Sequence, residues 1–526
     1  MKRILTAVGI SLAGIWLSVT LISLGIPGGI CEALNGISCN LFSGAFNNMA
    51  NGFYYDVPNT DMPTAVFMFL FSLAFFLYLF VVMRLLKTEP GKGSFFIVIF
   101  FSIIFRLVLL PSIPVHENDI YRYLWDGKAA KNGINPYKYE PGILERTDWE
   151  IRNDHHDMDR DVFIKGRSLS EKDEKEVGKL KALKDDNPDF FRKIGHKWVP
   201  TIYPPVAQLI FFAINLVKEN SIILAKSVFV FFDLLVLFVI SRILVVLGKS
   251  PAYSMIYGWS PLVLKEVANS GHYDPVPIFF ALSALFLMLR KKNISASFMV
   301  ALAALAKFFP ALLALVGARK LKFKGLFIFS LVFIGAYIPF FVWGSSGPEQ
   351  VFKGFLTYSN IWNYNGSIFV LVNTVIDAFV GNLTVSVLAA KMILAVILMG
   401  IIIKFSRQKC EQADVFLHRC FMVLVCLFLF SPVADPWYFL WVLPFLCFFP
   451  YKSFLLLSWL LIFSYFSFRM EVPPVKVGFI KLPLLNLVQY IPFYTALCIE
   501  AVVIKRKKER VNYVEQQKSN GGYTCL

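Results

Sequence analysis

The chain has 526 residues, 57% of them hydrophobic and only 17% charged, with 54 phenylalanines and a formal net charge of +17. A soluble domain is about half apolar and about a quarter charged, so this composition excludes an ordinary water-soluble fold. The basic excess lies in short turns between apolar runs and in the tail Lys505-Arg506-Lys507-Lys508. That is the pattern of positive cytoplasmic turns facing anionic lipid, and it gives no reason to expect nucleic acid as a partner.

Apolar runs of about 17–25 residues cross a hydrocarbon core of about 30 Å as helices. With the amino terminus inside, residues 4–26 go out and 64–86 return, with Arg84, Lys87 and Lys92 at the inner turn. The first run is longer than the usual signal-peptide core and reads as a retained span, with a cleaved signal peptide as the alternative. Cys31 and Cys39 share the loop that follows, as a disulfide or as two free thiols. Residues 94–113 go out to a long polar loop, 114–200. Its charged part, 144–197, is an insertion with a helix expected near 171–184. Next, 222–247 returns, 252–270 goes out and 274–290 comes back to Arg290-Lys291-Lys292. Residues 294–318, broken at Lys307-Phe308-Phe309-Pro310, fit a hairpin that starts and ends inside. Residues 325–343, 384–404, 413–431, 436–450, 453–470 and 485–504 then alternate outward and inward. Two segments, 202–217 and 366–380, must lie in the outer interface or dip without crossing for the charge rule to hold.

The expected fold is therefore all-α, a polytopic transmembrane bundle of about 11–14 crossings with interfacial helices and a long first outer loop. The expected parts are an amino-terminal hairpin (1–93), a module that carries the long loop (94–343), a carboxy-terminal module (344–510) and a cytoplasmic tail (511–526). Arg106, Asp233, Lys265, Glu266 and Lys391 fall inside spans and must face the interior or find partners. Arg106 and Asp233 are the better candidates for pairing, while Lys391 is placed to snorkel.

The densest polar and aromatic stretch opens the long loop: His116-Glu117-Asn118-Asp119-Ile120-Tyr121-Arg122-Tyr123-Leu124-Trp125-Asp126-Gly127. Pro114 before it, Asn118 as N-cap and Asn132-Gly133 after it bracket a helix of about four turns. Asp119, Arg122 and Asp126 share an arc of roughly 60°, with Ile120, Tyr121 and Leu124 on another side. Such a helix is expected to lie along the membrane surface, its charged arc facing a cavity. A plainer account reads Asp119 as a helix-start residue, Arg122 as its i,i+3 partner and the rings as an interfacial belt. Four more patches fall at the same outer end. They centre on Tyr203-Pro204-Pro205, on His272-Tyr273-Asp274, on Trp362-Asn363-Tyr364-Asn365 and on Asp435-Pro436-Trp437. Aromatic faces mixed with Asn, Asp and His suit a sugar, whose rings stack and whose hydroxyls need hydrogen-bond partners.

These residues resemble the GT-C superfamily of polyprenyl-phosphate-sugar-dependent glycosyltransferases, nearest its bacterial mannosyltransferase-like branch and the catalytic subunit of GPI mannosyltransferase I. The likeness covers about residues 116–440. It is carried by Asp-Ile-Tyr-Arg-Tyr-Leu-Trp-Asp-Gly, Gly-Ile-Asn-Pro-Tyr, the Tyr-Pro-Pro helix start, Gly-His-Tyr-Asp-Pro, the Leu-Ala-Lys-Phe-Phe-Pro break and Asp-Pro-Trp-Tyr. The resemblance implies that Asp119 is the catalytic carboxylate and that Arg122 binds donor phosphate. Tyr203 stands where the similar lipid A aminoarabinose transferases carry a lysine phosphate ligand, a departure that puts the second ligand in doubt. It implies a second acidic position at Asp274, beside His272. Candidate substrate contacts are His116, Asn118, Tyr123, Asp126, His272, Asp274, Trp362, Asn365, Asp435 and Trp437.

The implied reaction moves a hexose, with mannose suggested by the nearest branch, from a polyprenyl phosphate to a glycan, lipid or protein hydroxyl, with inversion. It belongs at the non-cytoplasmic face of an inner (plasma) membrane. No cofactor is required, because phosphate is already a good leaving group. A divalent metal is optional, and His155, His156, Asp157, Asp159 and Asp161 read either as a metal site or as a solvated loop. The rival function is a transporter or flippase of lipid-linked sugars, which favours repeated halves and a midplane site.

Overall fold

The computed structural model describes residues 1–24, 64–88, 90–145, 170–409, 411–468, 474–477 and 480–520. Cys31, Cys39 and the group His155 to Asp161 lie outside them. Among the described residues the chain is a helical bundle, with one short antiparallel pair, Pro474–Val477 with Ile480–Pro483, that the helical expectation did not include.

In chain order the principal helices begin with α1 (Lys2–Ser23), α2 (Thr64–Leu85), α3 (Lys92–Leu109), α4 (Asp119–Lys131) and α5 (Glu171–Asp186). Then come α6 (Pro205–Val217), α7 (Ile222–Val246), α8 (Pro275–Leu289), α9 (Asn293–Ala306) and α10 (Ala318–Val342). The last are α11 (Gly347–Ile361), α12 (Ile368–Val380), α13 (Leu383–Arg407), α14 (Ala413–Phe430), α15 (Lys452–Leu460) and α16 (Leu484–Asn520). Among the described residues seven are long and apolar enough to cross a membrane: α1, α2, α7, α10, α13, α14 and Leu484–Arg506 of α16. Shorter apolar helices occupy most of the remaining expected segments, α6 and α12 among them. The span expected at 436–450 is instead a 3-10 turn, Pro436–Trp441, followed by one helical turn, Leu443–Leu446, with Pro436 and Pro444 preventing a continuous helix. The protein is an integral, multi-pass membrane protein.

Local chemistry explains the boundaries. Proline opens α6 and α8, where no amide hydrogen is needed. Side-chain caps open α7, where Ser221 accepts from Leu224 N at 3.3 Å, and α13, where Asn382 accepts from Val385 N at 3.1 Å. The segment expected as one short helix at 252–270 is instead broken into Pro251–Ser254, Met255–Gly258, Pro261–Val263 and a π turn, Leu264–Asn269. Ser260-Pro261 interrupts the ladder, and Gly258 lets its neighbours close in: an added Cβ would stand 2.6 Å from Ser102 Oγ.

The charges inside spans find partners. Arg106 Nε meets Asp233 Oδ2 at 2.5 Å, and Tyr257 donates to Asp233 Oδ1 at 2.5 Å, all of it buried. Lys265 and Glu266 pair at 3.2 Å. Lys391 is bound by main-chain oxygens. Its Nζ donates to Ser359 O and Asn360 O at 2.8 and 2.9 Å, capping the carboxyl end of α11, where carbonyls and dipole favour a cation.

The helix α4 departs from expectation. It does not lie with one side open at a membrane surface: every residue from Ile120 to Ala130 is buried. Helix α6 covers one side, and the contact is so close that a Cβ on Gly127 would stand 2.2 Å from Phe211 O. The insertion covers another, with Phe190 edge-on to Tyr121 at 5.3 Å and Phe191 edge-on to Trp125 at 4.9 Å. Asn118 stands at the N-cap position but makes no side-chain cap.

Candidate active site

Helix ends and breaks, rather than helix bodies, surround one cavity of about 1030 Å³. Its walls come from residues 116–123, from the returning arm Gly195–Pro204, from the break Lys307–Leu312, from the end of α11 through Tyr364, and from Leu427–Trp441. The patches at Tyr203, Trp362 and Asp435 that the sequence placed at one end do meet there. The chain holds two of them edge to edge by backbone pairing: Tyr364 N donates to Pro432 O at 2.9 Å, and Ala434 N to Tyr364 O at 3.0 Å.

Asp119 is the first residue of α4, and its side chain keeps 24% exposure into the cavity. Its Oδ2 accepts from the Tyr123 hydroxyl at 3.4 Å. The Tyr123 ring is stacked on Phe211 at 4.8 Å and set edge-on to Tyr203 at 5.1 Å. The helix start alone argues for an easily ionised carboxylate. Burial, with Asp274 nearby, outweighs it and raises the Asp119 pKa, against His196, Lys307 and the Tyr123 hydrogen bond. Glu117 beside it is held still more firmly upward by burial, with Lys265 opposing.

Arg122 sits one turn on. Its Nε donates to Asp126 Oδ1 at 2.9 Å and its Nη1 to His196 O at 3.3 Å, while buried Nη2 has no hydrogen-bond partner. Asp126 is thus the anchor of the guanidinium, steadied in turn by Gln208 Nε2 at 3.4 Å. Arg122 is not its i,i+3 partner to Asp119. The fork is oriented from behind and keeps an unused donor, a geometry that suits an anionic oxygen.

Of the other expected contacts, His116, Asn118, Tyr123, Tyr203, Trp362, Asp435 and Trp437 line the cavity. Four stand behind its wall. Asp126 holds Arg122, and His272 lies under Trp437 in a stack of 4.6 Å. Asp274 accepts from Lys307 Nζ at 2.7 Å and Trp441 Nε1 at 2.6 Å. Asn365 exchanges amide hydrogen bonds with Gln489 at 3.0 and 2.9 Å. For His272, Asp274 and Asn365 the partner is one that sequence separation conceals.

Lys307 is the cavity-lining residue that sequence reasoning treated only as a helix break. With Arg122 it supplies the Lys and Arg side chains among the described lining residues, its Nζ over the Tyr438 ring at 4.7 Å. A lysine at the tip of a hairpin, away from the basic turns at its base, was the available signal. His196 and Trp198 were also missed. They come from the end of the charged insertion, whose composition points to solvent, yet Trp198 stacks on Trp362 at 4.9 Å.

Among the described residues no group of three or more His, Cys, Asp and Glu side chains is gathered to hold a metal. Comparison with known proteins gives one family match. Residues 201–432 match the family described as glycosyltransferase family 87, which is of GT-C type. That stretch contains Tyr203, His272, Asp274, Lys307 and Trp362, and it begins after Asp119 and Arg122. No curated protein and no solved structure matches the chain. Joined to the multi-pass bundle and the cavity at its helix ends, this match, over somewhat less than half of the chain, supports a membrane glycosyltransferase and makes the chain similar to the GT-C type.

Proposed function

We propose that the protein transfers a hexose from a polyprenyl-phosphate donor to an acceptor hydroxyl, with inversion, at the non-cytoplasmic face of an inner membrane. Mannose is the sugar suggested by the likeness to the mannosyltransferase branch. The observation that carries the proposal is the separation of two charges on one helix. Asp119 and Arg122 border the same cavity, and Arg122 is tied to Asp126 rather than to Asp119. A carboxylate and a guanidinium that do not neutralise each other are both left for substrate.

Arg122 binds the donor phosphate and stabilises the charge that grows on the departing oxygen. Asp119 takes the proton of the attacking hydroxyl, a role typically worth about 10²–10⁴-fold. Its raised pKa makes it a stronger base than an ordinary surface carboxylate. The apolar stretch Phe308, Phe309, Leu312, Leu427 and Phe428 offers the prenyl chain a wall without hydrogen-bond groups. The volume exceeds that of many small-ligand pockets, as two substrates require.

The distribution of charge supports this facing of the site. Helix α9 starts after Arg290-Lys291-Lys292 and ends at the cavity with Lys307. Helix α14 follows Arg407 and Lys409 and ends at the cavity with Ser431. Positive turns stay in the cytoplasm, which favours the opposite side for the cavity.

The test is transfer by purified protein in liposomes, with a panel of radiolabelled polyprenyl-phosphate sugars and membrane extract as acceptor source. One donor should yield labelled product, and Asp119→Asn should abolish transfer while donor binding persists. Full transfer by that variant removes the assignment. Donor movement across the bilayer without transfer supports a flippase instead.

A further inference from the structure

Behind Asp119 stand three buried titratable side chains in a row. Tyr123 Oη is 3.4 Å from Asp119 Oδ2 and 3.4 Å from His272 Nδ1. Across the imidazole, His272 Nε2 is 3.4 Å from Glu266 Oε2. The backbone builds this row. The π turn Leu264–Asn269 is followed by Gly271 at φ +76°, and the amide of His272 donates to Glu266 O at 2.9 Å, folding the histidine back over the glutamate. π turns inside helices concentrate at functional sites. Trp437 fixes the ring plane in a stack of 4.6 Å.

The hydrogens on this row can be counted. Glu266 Oε1 accepts from Tyr465 at 2.6 Å and Oε2 faces Lys265 Nζ at 3.2 Å, so the glutamate is held as an acceptor. His272 Nε2, 3.4 Å away, makes no hydrogen bond in this arrangement. Facing an acceptor, it is the nitrogen that suits the neutral ring's hydrogen, which leaves the lone pair of Nδ1 toward Tyr123. The single hydroxyl hydrogen of Tyr123 then has two possible acceptors, Asp119 and His272. Burial, with Lys265 and Lys307 nearby, pushes the His272 pKa well below its ordinary value, so the ring is neutral at rest. Asp119 Oδ2 stands 4.0 Å from its Nδ1 and Glu266 Oε2 3.4 Å from its Nε2, one carboxyl group on each side of the ring.

We propose that Tyr123, His272 and Glu266 form a proton relay that removes the acceptor's proton from Asp119. This rests on Asp119 as the base. As the acceptor oxygen bonds to the anomeric carbon, its O–H bond breaks and the phosphate departs with the electrons of its own bond to that carbon. The proton passes to Asp119 and on to Tyr123 Oη, while the tyrosine's own proton moves to His272 Nδ1. Asp119 returns to carboxylate, and the imidazolium faces the Glu266 carboxylate. The proton leaves by the reverse path when products depart and water re-enters the cavity. Tyr123, His272 and Glu266 are positioning residues here, since they act through Asp119.

The test is the single-turnover transfer rate at saturating acceptor, using full-length protein loaded with the donor identified above. His272→Gln and Tyr123→Phe, the latter keeping the ring stacked on Phe211, should each slow transfer ten-fold or more, with donor and acceptor affinities within two-fold. In H₂O/D₂O mixtures the wild-type rate should fall along a curve, as several protons move together. The Tyr123→Phe rate should fall along a straight line. Wild-type rates in both variants overturn the relay, as does a loss confined to substrate affinity or a straight wild-type line. The Asp119→Asn control separates the levels: if it transfers sugar, the base assignment fails, and if it is inactive while His272→Gln is unimpaired, only the relay fails.

Discussion

A guanidinium anchored on one edge and open on another behaves differently from a lysine ammonium in the same place. Arg122 spends Nε on Asp126 and Nη1 on the His196 carbonyl, with Nη2 to spare. Arg122→Ala should lower kcat/KM for the donor by about 10²-fold, and Arg122→Lys should recover only part of it, measured as initial rates against donor concentration. The pH profile reports on Asp119. Burial and Asp274 raise its pKa, so its basic form is lost as pH falls through a value above the usual carboxylate range of about 4. The acid limb of kcat/KM should accordingly lie above that range. Lys307→Met removes a charge that lowers this pKa and should move the limb higher, read from rates across pH 4–8. The sequence exposed Asp119 and Arg122 because they are neighbours on one helix, where spacing is geometry. It concealed Lys307 and His196 because their positions depend on where a hairpin tip and the end of an insertion come to rest.

Helices inside lipid make every buried charge a structural commitment. The Arg106–Asp233 pair joins α3 to α7, and Arg106 Nη1 also donates to Gly258 O at 2.9 Å, holding the broken segment between them. Removing one partner strands the other, so Arg106→Met or Asp233→Leu alone should cost about 3–5 kcal/mol. The double variant should cost much less than the sum, by thermal unfolding in detergent. Long apolar runs, their order and this pairing were legible from composition. The segments that were not legible are those where hydropathy and helicity part. Residues 252–270 are largely apolar yet divided by Ser260-Pro261 and the π turn. Residues 347–361 are polar enough to read as loop yet form α11, with Pro348 at the start and Lys391 at the end. Helix α4 was placed by its caps and misjudged in burial, because nothing in its own residues reveals that α6 and the insertion close over it.

At the scale of the molecule the cavity is a meeting of distant segments. Asp119 and Arg122 precede the stretch that matches family 87, and Asp435 follows it. The wall formed by Trp362–Tyr364 is secured further still along the chain. Asn486 Nδ2 donates to Gly366 O at 2.7 Å, Tyr490 donates to Asn365 O at 2.9 Å, and the Ser367 and Tyr494 hydroxyls meet at 2.7 Å. All three come from α16, 120 to 127 residues further along the chain. This wall therefore cannot be latched until α16 has been synthesised and has packed. Until then Asp119 and Arg122 of α4 face an unfinished chamber, whose shape waits on a helix made long after them.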